Sequence, residues 1–309
     1  MKIYDAAVIG EGPAGITAAL YLVRSGCSTL LFEQMTAGGQ LLATESLENY
    51  PGFPKGVKGY ELADYMDAQL EGLALDKVRA EVCEISGEAG NFIIKADAEQ
   101  DTYYARTVIV CTGARHRHLG LPREADLVGR GVSYCAICDG GFYRNQDVAV
   151  VGGGNAAMEE SLYLAKIVKK VYLIHRRDSF RGSKVYLEKL EQQTDKVEIL
   201  RDTIVTQLVG DSDLTGLEIE NLKSGQKSRL EVSGLFIYVG FIPATDFLPD
   251  KVERDNQGFL VTDTEMRTSV PGIFAAGDIR SKLCRQVITA AGDGATAAQA
   301  AFIFLEQLQ

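Results

Sequence analysis

The sequence lacks a long apolar run, and its basic residues are fewer than its acidic ones. Of its 309 residues, 32 are Lys or Arg and 42 are Asp or Glu, which gives a formal net charge of −10. Because binding to phosphates needs a basic face, this balance argues against DNA or RNA as the main partner. A membrane span needs a run of about 18 apolar residues, and the sequence has none, so we expect no membrane partner. Residues 1–10 resemble a buried strand more than a signal peptide, which favours a cytoplasmic protein.

Cysteine is also scarce, and among six cysteines only Cys135 and Cys138 are close in sequence. A disulfide scaffold is not expected in a reducing cytoplasm, so this CxxC pair is a candidate for redox chemistry. A CxxC can also be half of a zinc site, but there is no second pair, and His116 and His118 are poorly spaced for one. We expect no metal, and we expect the remaining cysteines to be small core residues: Cys27, Cys83, Cys111 and Cys284.

Asp139 follows the CxxC pair directly. A carboxyl group in this place can give a proton to a neighbouring thiol or take one from it. The alternative interpretation is an aspartate that caps a helix or stabilises a turn. The candidate catalytic residues are therefore Cys135, Cys138 and Asp139.

An internal repeat organises the chain. Residues 5–33 and 147–175 align without a gap, and each reads as an apolar strand, a glycine turn, a helix and a second apolar strand. This is a βαβ unit, and glycines in such a turn let the backbone approach a pyrophosphate at the N-terminus of the helix. We predict an α/β protein with two dinucleotide-binding, Rossmann-like, three-layer domains. The turn residues of the first site are Gly10, Gly12, Pro13, Ala14 and Gly15, and those of the second are Gly152, Gly154, Asn155, Ala156 and Ala157.

The end of the second strand distinguishes the two sites. In the first copy it is Glu33, whose carboxylate can bind ribose hydroxyls and would repel a 2′-phosphate. In the second copy the same position is His175, and three arginines follow: Arg176, Arg177 and Arg181. A short basic stretch is often just a solvated face, but guanidinium groups here are suited to a 2′-phosphate. We therefore predict that the first site binds FAD and the second binds NADPH.

Further segments fit the FAD site, although each by itself is also typical of a turn. Polar or flexible groups come from three segments: a glycine turn near residue 39, a strand that ends near residue 113, and an acidic strand end at residue 278. In addition, the N-terminus of a long C-terminal helix favours negative charge. The residues assigned from these segments are Gly39, Gln40, Leu41, Thr44, Asn49, Thr112, Gly113, Gly277, Asp278, Arg285, Gln286 and Val287.

The order of these segments predicts an interrupted domain. Residues 1–114 form the first part of the FAD domain, residues 115–244 form an inserted NADPH domain that contains the CxxC, and residues 245–309 complete the FAD domain. The two chain crossings are short, and they are a plausible hinge.

Taken together, the motifs resemble those of the low-molecular-weight type of bacterial thioredoxin reductase over essentially the whole chain. The CAICD and HRRDSFR segments are the most specific parts of this resemblance. It implies that Cys138 faces the flavin, that Cys135 attacks thioredoxin, and that Asp139 is the acid–base group. It also implies a 2′-phosphate clamp of arginines, a homodimer, and rotation of the NADPH domain during the cycle.

Two positions depart from the pattern of that family. Some members have an aromatic residue where this chain has Gly141, which leaves Phe142 and Tyr143 for docking a partner. Cys111 stands where many relatives have a small residue such as alanine.

The expected activity is NADPH-dependent reduction of thioredoxin, and three alternatives are considered. A ferredoxin-type flavin reductase of similar fold would lack the CxxC. A related dithiol oxidase or reductase would use the same cysteine pair on a small molecule, and the oxidase, which needs no nicotinamide, would not need the arginine clamp. A slow redox sensor would keep every motif, and only turnover distinguishes it.

Overall fold

The computed structural model describes residues 2–44, 47, 49–97 and 101–308, and the chain divides into two compact units. Unit 1 contains Met1–Thr44, Val57–Arg115 and Ile242–Gln309, and unit 2 contains Glu45–Gly56 and His116–Phe241. The chain crosses between the units at 115/116 and at 241/242. Segment 45–56 groups with unit 2, whereas chain order placed it in the first domain. Chain order cannot reveal this, because the grouping depends on contacts between residues distant in sequence.

Seventeen strands and six α-helices are present among the described residues. The strands are β1 (Ile3–Ile9), β2 (Thr29–Glu33), β3 (Leu75–Arg79), β4 (Val82–Glu88), β5 (Asn91–Ala96), β6 (Asp101–Val110), β7 (Ala114–His116), β8 (Val132–Ser133), β9 (Asp147–Gly152), β10 (Lys170–Ile174), β11 (Val197–Leu200), β12 (Thr203–Val209), β13 (Gly216–Asn221), β14 (Lys227–Leu230), β15 (Gly234–Tyr238), β16 (Phe241–Pro243) and β17 (Ile273–Ala275). The helices are α1 (Pro13–Arg24), α2 (Gly59–Ala68), α3 (Ala136–Asp139), α4 (Asn155–Leu164), α5 (Lys184–Glu191) and α6 (Val287–Gln307).

Unit 1 is built on a seven-stranded sheet with the order β3-β2-β1-β6-β5-β4, in which β17 also pairs with β6. β1 pairs in parallel with both β2 and β6, so that Ala6 lies opposite Thr29 on one side and Thr107 on the other. A strand that is buried on both faces needs a continuous apolar run, which residues 6–9 supply. The core of this unit surrounds β1, β6 and β17.

Unit 2 contains a five-stranded parallel sheet with the order β11-β10-β9-β15-β8. A separate antiparallel sheet, β12-β13-β14, packs its apolar residues with one face of the parallel strands in a single core. The opposite face of β9 and β10 packs with α4 and α5. The two copies of the repeat, β1-α1-β2 and β9-α4-β10, are parallel βαβ units, which confirms the predicted fold class.

The C-terminal helix α6 is long and apolar enough, by length and composition, to cross a membrane. In unit 1 it packs along α1 instead. A Cβ atom added to Gly294 would lie 2.2 Å from the carbonyl oxygen of Ala14, so the two helices meet backbone to backbone. Core helices of globular domains pass the same test of composition, and the helix is weak evidence for a membrane.

Candidate functional site

Cys135 and Cys138 form a disulfide with a Cα–Cα distance of 5.3 Å. Cys135 has extended backbone geometry and stands at the N-terminus of the short helix α3. The N–H of Cys138 donates to Cys135 Sγ at 3.2 Å, and the N–H of Asp139 donates to the Cys135 carbonyl at 3.0 Å. The predicted redox pair is therefore brought together in its oxidised form, in a loop that is fixed by its own backbone.

Ser133 connects this loop to the candidate acid. Its buried hydroxyl accepts the N–H of Cys135 at 3.1 Å and donates to Asp139 Oδ2 at 2.6 Å. The Ser133 hydroxyl accepts the N–H of Cys135 through its oxygen, so its single proton remains available for the carboxylate of Asp139. Asp139 is thus held beside the cysteines by a residue that sequence reasoning had not assigned, because Ser133 belongs to no recognised motif.

On the other side of the loop lie Tyr238 and Glu160. The phenol oxygen of Tyr238 accepts the N–H of Ala136 at 2.6 Å. Oε2 of Glu160 is buried and has no hydrogen-bond partner among the residues that the structure describes. Burial, with a further contribution from Glu159, raises the pKa of Glu160 to about 7. Neither Tyr238 nor Glu160 was predicted from the sequence.

The segment before Cys135 is fixed by a buried carboxylate. Glu124 accepts the hydroxyl of Tyr134 at 2.8 Å together with backbone N–H groups of residues 119–121. Burial by itself would raise the pKa of Glu124, but these hydrogen bonds outweigh it and the net shift is downward. The ring of Tyr134 stacks on His116 at 4.7 Å, and burial, helped by His118, lowers the pKa of His116 to about 4.

The region after the CxxC leaves one ring exposed. A Cβ atom at Gly141 would meet nothing within 4 Å, and the side chain of Phe142 is 51% exposed. Tyr143, by contrast, packs edge-on against Phe236 with ring centroids 5.4 Å apart. Of the two aromatic residues expected to be available for docking, Phe142 is free to contact a partner and Tyr143 is engaged in the core of unit 2.

In unit 1 the first glycine turn has the expected geometry. Gly10 has φ +101°, which favours glycine, and a Cβ atom at Gly15 would lie 1.8 Å from the carbonyl oxygen of Gly10. Gly12 directly precedes α1, whose first residue is Pro13. The space beside Gly12 is open, because the nearest atom to an added Cβ would be the Cα of Gly39, at 4.0 Å. Helix, strand and turn therefore pack closely while the N-terminus of α1 stays open to an anion.

Several residues predicted for the first site already make protein contacts. The two carboxylate oxygens of Glu33 accept the N–H groups of Glu11 and Met35, each at 2.9 Å. Gln40 donates to the Ala114 carbonyl at 3.2 Å. A carboxylate oxygen has two lone pairs, so Glu33 keeps the capacity to accept a ribose hydroxyl.

Other predicted groups lie in the turns around this site. Thr44 donates to the carbonyl of Gln40, and Thr112 donates to the carbonyl of Ala244. Leu41 is buried, and Gly113 has φ +65°. Asn49 belongs to segment 45–56 of unit 2, and its assignment to the FAD site stays a prediction.

The C-terminal part of unit 1 brings a second set of predicted residues to the same turn. Gly277 lies against Ala14, with an added Cβ only 2.9 Å from the Ala14 side chain. Next to it, Oδ1 of Asp278 is buried and lacks a hydrogen-bond partner in the described part of the chain. Burial raises the pKa of Asp278 to about 6. Gln286 caps α6 through a reciprocal pair of hydrogen bonds with Thr289, and α6 begins at Val287. Asp278 thus has an oxygen ready for a hydroxyl donor.

An ion-pair network that sequence reasoning missed holds this turn in place. Asp293 on α6 accepts the N–H of Gly277 at 3.1 Å and pairs with Arg280 at 2.9 Å and Lys282 at 2.8 Å. The three charged side chains are only 10–13% exposed. The predicted Arg285 lies over the ring of Phe259 at 4.1 Å. Nothing in the sequence pairs these charges, because they are joined only when α6 packs.

The second glycine turn, in unit 2, is equally close-packed. A Cβ atom at Gly152 would lie 2.5 Å from the side chain of Ala157, so the alanine at the third position of this copy leaves no room for a side chain at the first. Gly154 precedes α4 and has open space beside it. Asn155 accepts the N–H of Ser183 at 2.7 Å, and Ala156 is exposed.

The basic segment after β10 separates into a buried histidine and exposed arginines. His175 stacks on Phe180 at 4.7 Å, and a Cβ atom at Gly153 would strike its ring. Burial lowers the pKa of His175, with the nearby arginine charges acting in the same direction. The arginines are exposed, and the N–H of Arg181 donates to the Gly153 carbonyl at 2.8 Å, which places them beside the turn: Arg176, Arg177 and Arg181.

Of the four other cysteines, two are core residues as expected. Cys27 and Cys111 are buried, and burial raises their pKa values, to about 11 for Cys27. The expectation is wrong for Cys83, which is partly exposed, and for Cys284, which is exposed. Both lie outside the apolar strand and helix faces that make up the cores. Among the described residues, the groups of acidic, histidine and cysteine side chains include none suited to a metal ion.

Comparison with known proteins decides the family. Residues 4–294 match the family described as pyridine nucleotide-disulphide oxidoreductase. The chain belongs to this family. A thioredoxin reductase from Listeria monocytogenes is 42% identical over 309 residues, covering 100% of this chain and 96% of the relative, and one from Streptomyces coelicolor is 44% identical over 305 residues, covering 97% and 94%.

A solved structure agrees with these relatives. The thioredoxin reductase from Streptococcus pyogenes matches with a TM-score of 0.91 and 43% identity, covering 99% of each chain. Membership of the family implies FAD and a nicotinamide cofactor, here NADPH. The residues present fit both groups, since each unit has an open glycine turn at the N-terminus of a helix, and Asp278 adds an unpartnered acceptor.

Proposed function

We propose that this chain is an NADPH-dependent thioredoxin-disulfide reductase that passes electrons from NADPH through FAD and the Cys135–Cys138 pair to thioredoxin. The disulfide carries the argument, because it lies in the same unit as a dinucleotide turn and its arginines. Similarity over the full length to enzymes named thioredoxin reductase supports this activity over the alternatives.

We assign each cofactor to one turn. FAD is held in unit 1 by the turn at Gly12, by Glu33 and by Asp278, and NADPH is held in unit 2 by the turn at Gly154 and the arginine segment 176–181. When bound, FAD supplies the two-electron chemistry between the nicotinamide and the disulfide. The inserted NADPH domain at 115–244 and the divided FAD domain at 1–114 and 245–309 are part of this proposal.

The cysteines have different tasks. Cys138 is the sulfur that receives the electrons, and Cys135 leaves as a thiolate when the S–S bond breaks. The hydrogen bond from the Cys138 N–H to the Cys135 sulfur, at 3.2 Å, stabilises that charge, and Asp139 supplies its proton. Cys135 then attacks the disulfide of thioredoxin, and Cys138 resolves the mixed disulfide.

Phe142 lies four residues after Cys138, and its exposed ring supports a protein rather than a small-molecule substrate. An oxidase of small dithiols has no use for the arginine segment, and a flavin reductase has none for the disulfide. A redox sensor would keep these features and differ only in its slow turnover.

We further propose that the protein is a cytoplasmic homodimer without a nucleic-acid or membrane partner. The family resemblance supports the dimer, the net charge of −10 argues against nucleic acid, and the CxxC suits a reducing compartment. Sedimentation analysis of the FAD-loaded protein tests the dimer, and a monomer at micromolar concentration contradicts it.

The test of the activity is NADPH oxidation with a cognate thioredoxin, run in parallel with NADH and with a small disulfide. Cys135→Ser and Cys138→Ser should each abolish thioredoxin reduction, because the two sulfurs act as one couple. Both variants should still reduce an artificial dye that takes electrons directly from the flavin. If either variant reduces thioredoxin at the parent rate, the pair is not the path of the electrons.

A further inference from the structure

Tyr238, the last residue of β15, contacts two functional parts of unit 2. In the sheet it pairs with Gly152, and a Cβ atom at Gly152 would lie 2.6 Å from the Tyr238 carbonyl oxygen. Its phenol oxygen accepts the N–H of Ala136, between the two cysteines, at 2.6 Å. The backbone of Tyr238 therefore lies against the dinucleotide turn while its side chain reaches the redox loop.

The N–H of Ala136 needs this acceptor. Ala136 is the first residue of α3, and the N–H groups of a first helical turn have no partner inside the helix. Around it, the N–H of Cys135 is bonded to Ser133, and that of Cys138 to the Cys135 sulfur. Ala136 is fully buried, so without Tyr238 its N–H would be left unpaired, which is unfavourable for a buried polar group.

The surroundings of Tyr238 favour the neutral phenol. Burial raises the pKa of Tyr238 well above its usual range, and the charges of Glu160 on α4 and Asp139 on α3 act in the same direction. Tyr238 is thus a constant hydrogen-bond acceptor for the loop at every pH at which the protein works.

We propose that Tyr238 is a positioning residue that stabilises the oxidised form of the Cys135–Cys138 loop. The inference deepens the proposed function, because it rests on the pair working as a redox couple. On reduction the disulfide takes up two electrons and two protons, the S–S bond breaks, and each sulfur becomes a thiol. The loop is then no longer closed by a covalent bond, and the contact from Ala136 to Tyr238 is weakened. Tyr238 therefore lowers the reduction potential of the pair.

The test is the thiol–disulfide equilibrium of the FAD-loaded protein in glutathione buffers, in which two glutathione thiols reduce the pair and form one glutathione disulfide. Free thiols are alkylated and counted at Cys135 and Cys138 by mass spectrometry. Tyr238→Phe keeps the ring and removes the acceptor. We expect its equilibrium to move about threefold to tenfold toward the dithiol, the range given by a hydrogen bond of ordinary net strength. A tenfold change corresponds to about 30 mV.

A second measurement follows the same bond from the donor side in the parent protein. Amide hydrogen exchange at the N–H of Ala136 should be faster in the reduced protein than in the oxidised one, because the bond to Tyr238 weakens when the disulfide opens. The matched control is Tyr172→Phe on β10 of the same sheet, whose ring lies beside Lys170 and which should leave the equilibrium unchanged.

The proposal is overturned if Tyr238→Phe leaves the equilibrium at the parent value while far-UV circular dichroism and FAD content stay normal. It is also overturned if the N–H of Ala136 exchanges at the same rate in the oxidised and the reduced protein. Should Tyr238→Phe fail to fold, this exchange measurement on the parent protein decides. Failure of the parent protein to reduce thioredoxin would contradict the proposed function and leave this equilibrium measurement unaffected.

Discussion

At the residue scale, Glu160 is a buried acid whose protonation affects stability. Burial raises its pKa to about 7, so the folded state holds a proton that the unfolded chain releases near the ordinary value of 4.5. The stability associated with this proton is fully present below that ordinary value and is lost as the pH rises through 7. Ionised Glu160 therefore destabilises the fold in mildly alkaline solution.

We predict that Glu160→Gln raises the free energy of unfolding at pH 8.5 by about 1–3 kcal/mol and changes it little at pH 5. The neutral amide has the shape of the protonated acid and does not ionise. Urea denaturation at the two pH values measures the difference. The exposed Glu188 on α5 provides the control, since Glu188→Gln should give no gain that depends on pH. An equal effect of Glu160→Gln at both pH values would contradict the assignment.

At the scale of elements, the contact between α1 and α6 depends on one glycine. A Cβ atom at Gly294 would lie 2.2 Å from the Ala14 carbonyl oxygen, which is backbone and cannot move aside cheaply. Gly292, two residues earlier on the same helix, is exposed and has nothing within 4 Å of an added Cβ. The helix α6 thus contains a matched pair of glycines, one required by packing and one not.

We predict opposite effects of alanine at these two positions. Gly294→Ala should destabilise the protein by about 1–3 kcal/mol or more through overpacking. Gly292→Ala should stabilise it by about 0.5–1 kcal/mol, because alanine is the better helix former. Denaturant unfolding of both variants gives the answer. If Gly294→Ala is neutral, the helices do not meet at this residue.

At the scale of the whole molecule, we propose that the arginine segment of unit 2 sets the choice between NADPH and NADH. Arg176 and Arg181 are exposed beside the Gly153 turn and are free to form charge-assisted hydrogen bonds with a 2′-phosphate. Each such bond contributes about 1.5–3 kcal/mol, which is roughly tenfold or more in affinity.

Arg176→Ala and Arg181→Ala should each raise the KM for NADPH about tenfold while the kinetics with NADH change little. Steady-state assays with both cofactors measure this. Arg229→Ala is the control, because Arg229 forms only an exposed ion pair with Glu231, and such pairs contribute little. An equal rise in KM with NADPH and with NADH would show that the arginines do not recognise the 2′-phosphate.

Much of the fold and of the site could be predicted from the sequence where the information is local. The glycine fingerprints, the apolar strands and the CxxC can be recognised in short stretches of sequence. This is because a tight turn, a buried parallel strand and a small disulfide loop each depend on residues only a few positions apart. The same holds for the identity of the cofactors, which rests on Glu33 and the arginines that follow His175.

The antiparallel strands were not foreseen. β4 and β5, and likewise β12 to β14, are partly exposed and lie outside the two βαβ repeats, so their alternation of apolar and polar residues is a weak signal. The membership of segment 45–56 in unit 2 was not predictable either, since it depends on contacts across the chain.

The sequence by itself determined that the chain has two dinucleotide-binding repeats and one cysteine pair with redox capacity. Only the tertiary structure decided which side chains surround that pair. The hydroxyl of Ser133 donates to Asp139, and Tyr238 accepts the N–H of Ala136 from a strand about a hundred residues away. Asp293 forms ion pairs with Arg280 and Lys282 once α6 is packed. The physical reason is that a hydrogen bond or ion pair between distant segments leaves no periodic pattern in the sequence and exists only after the core has brought those segments together.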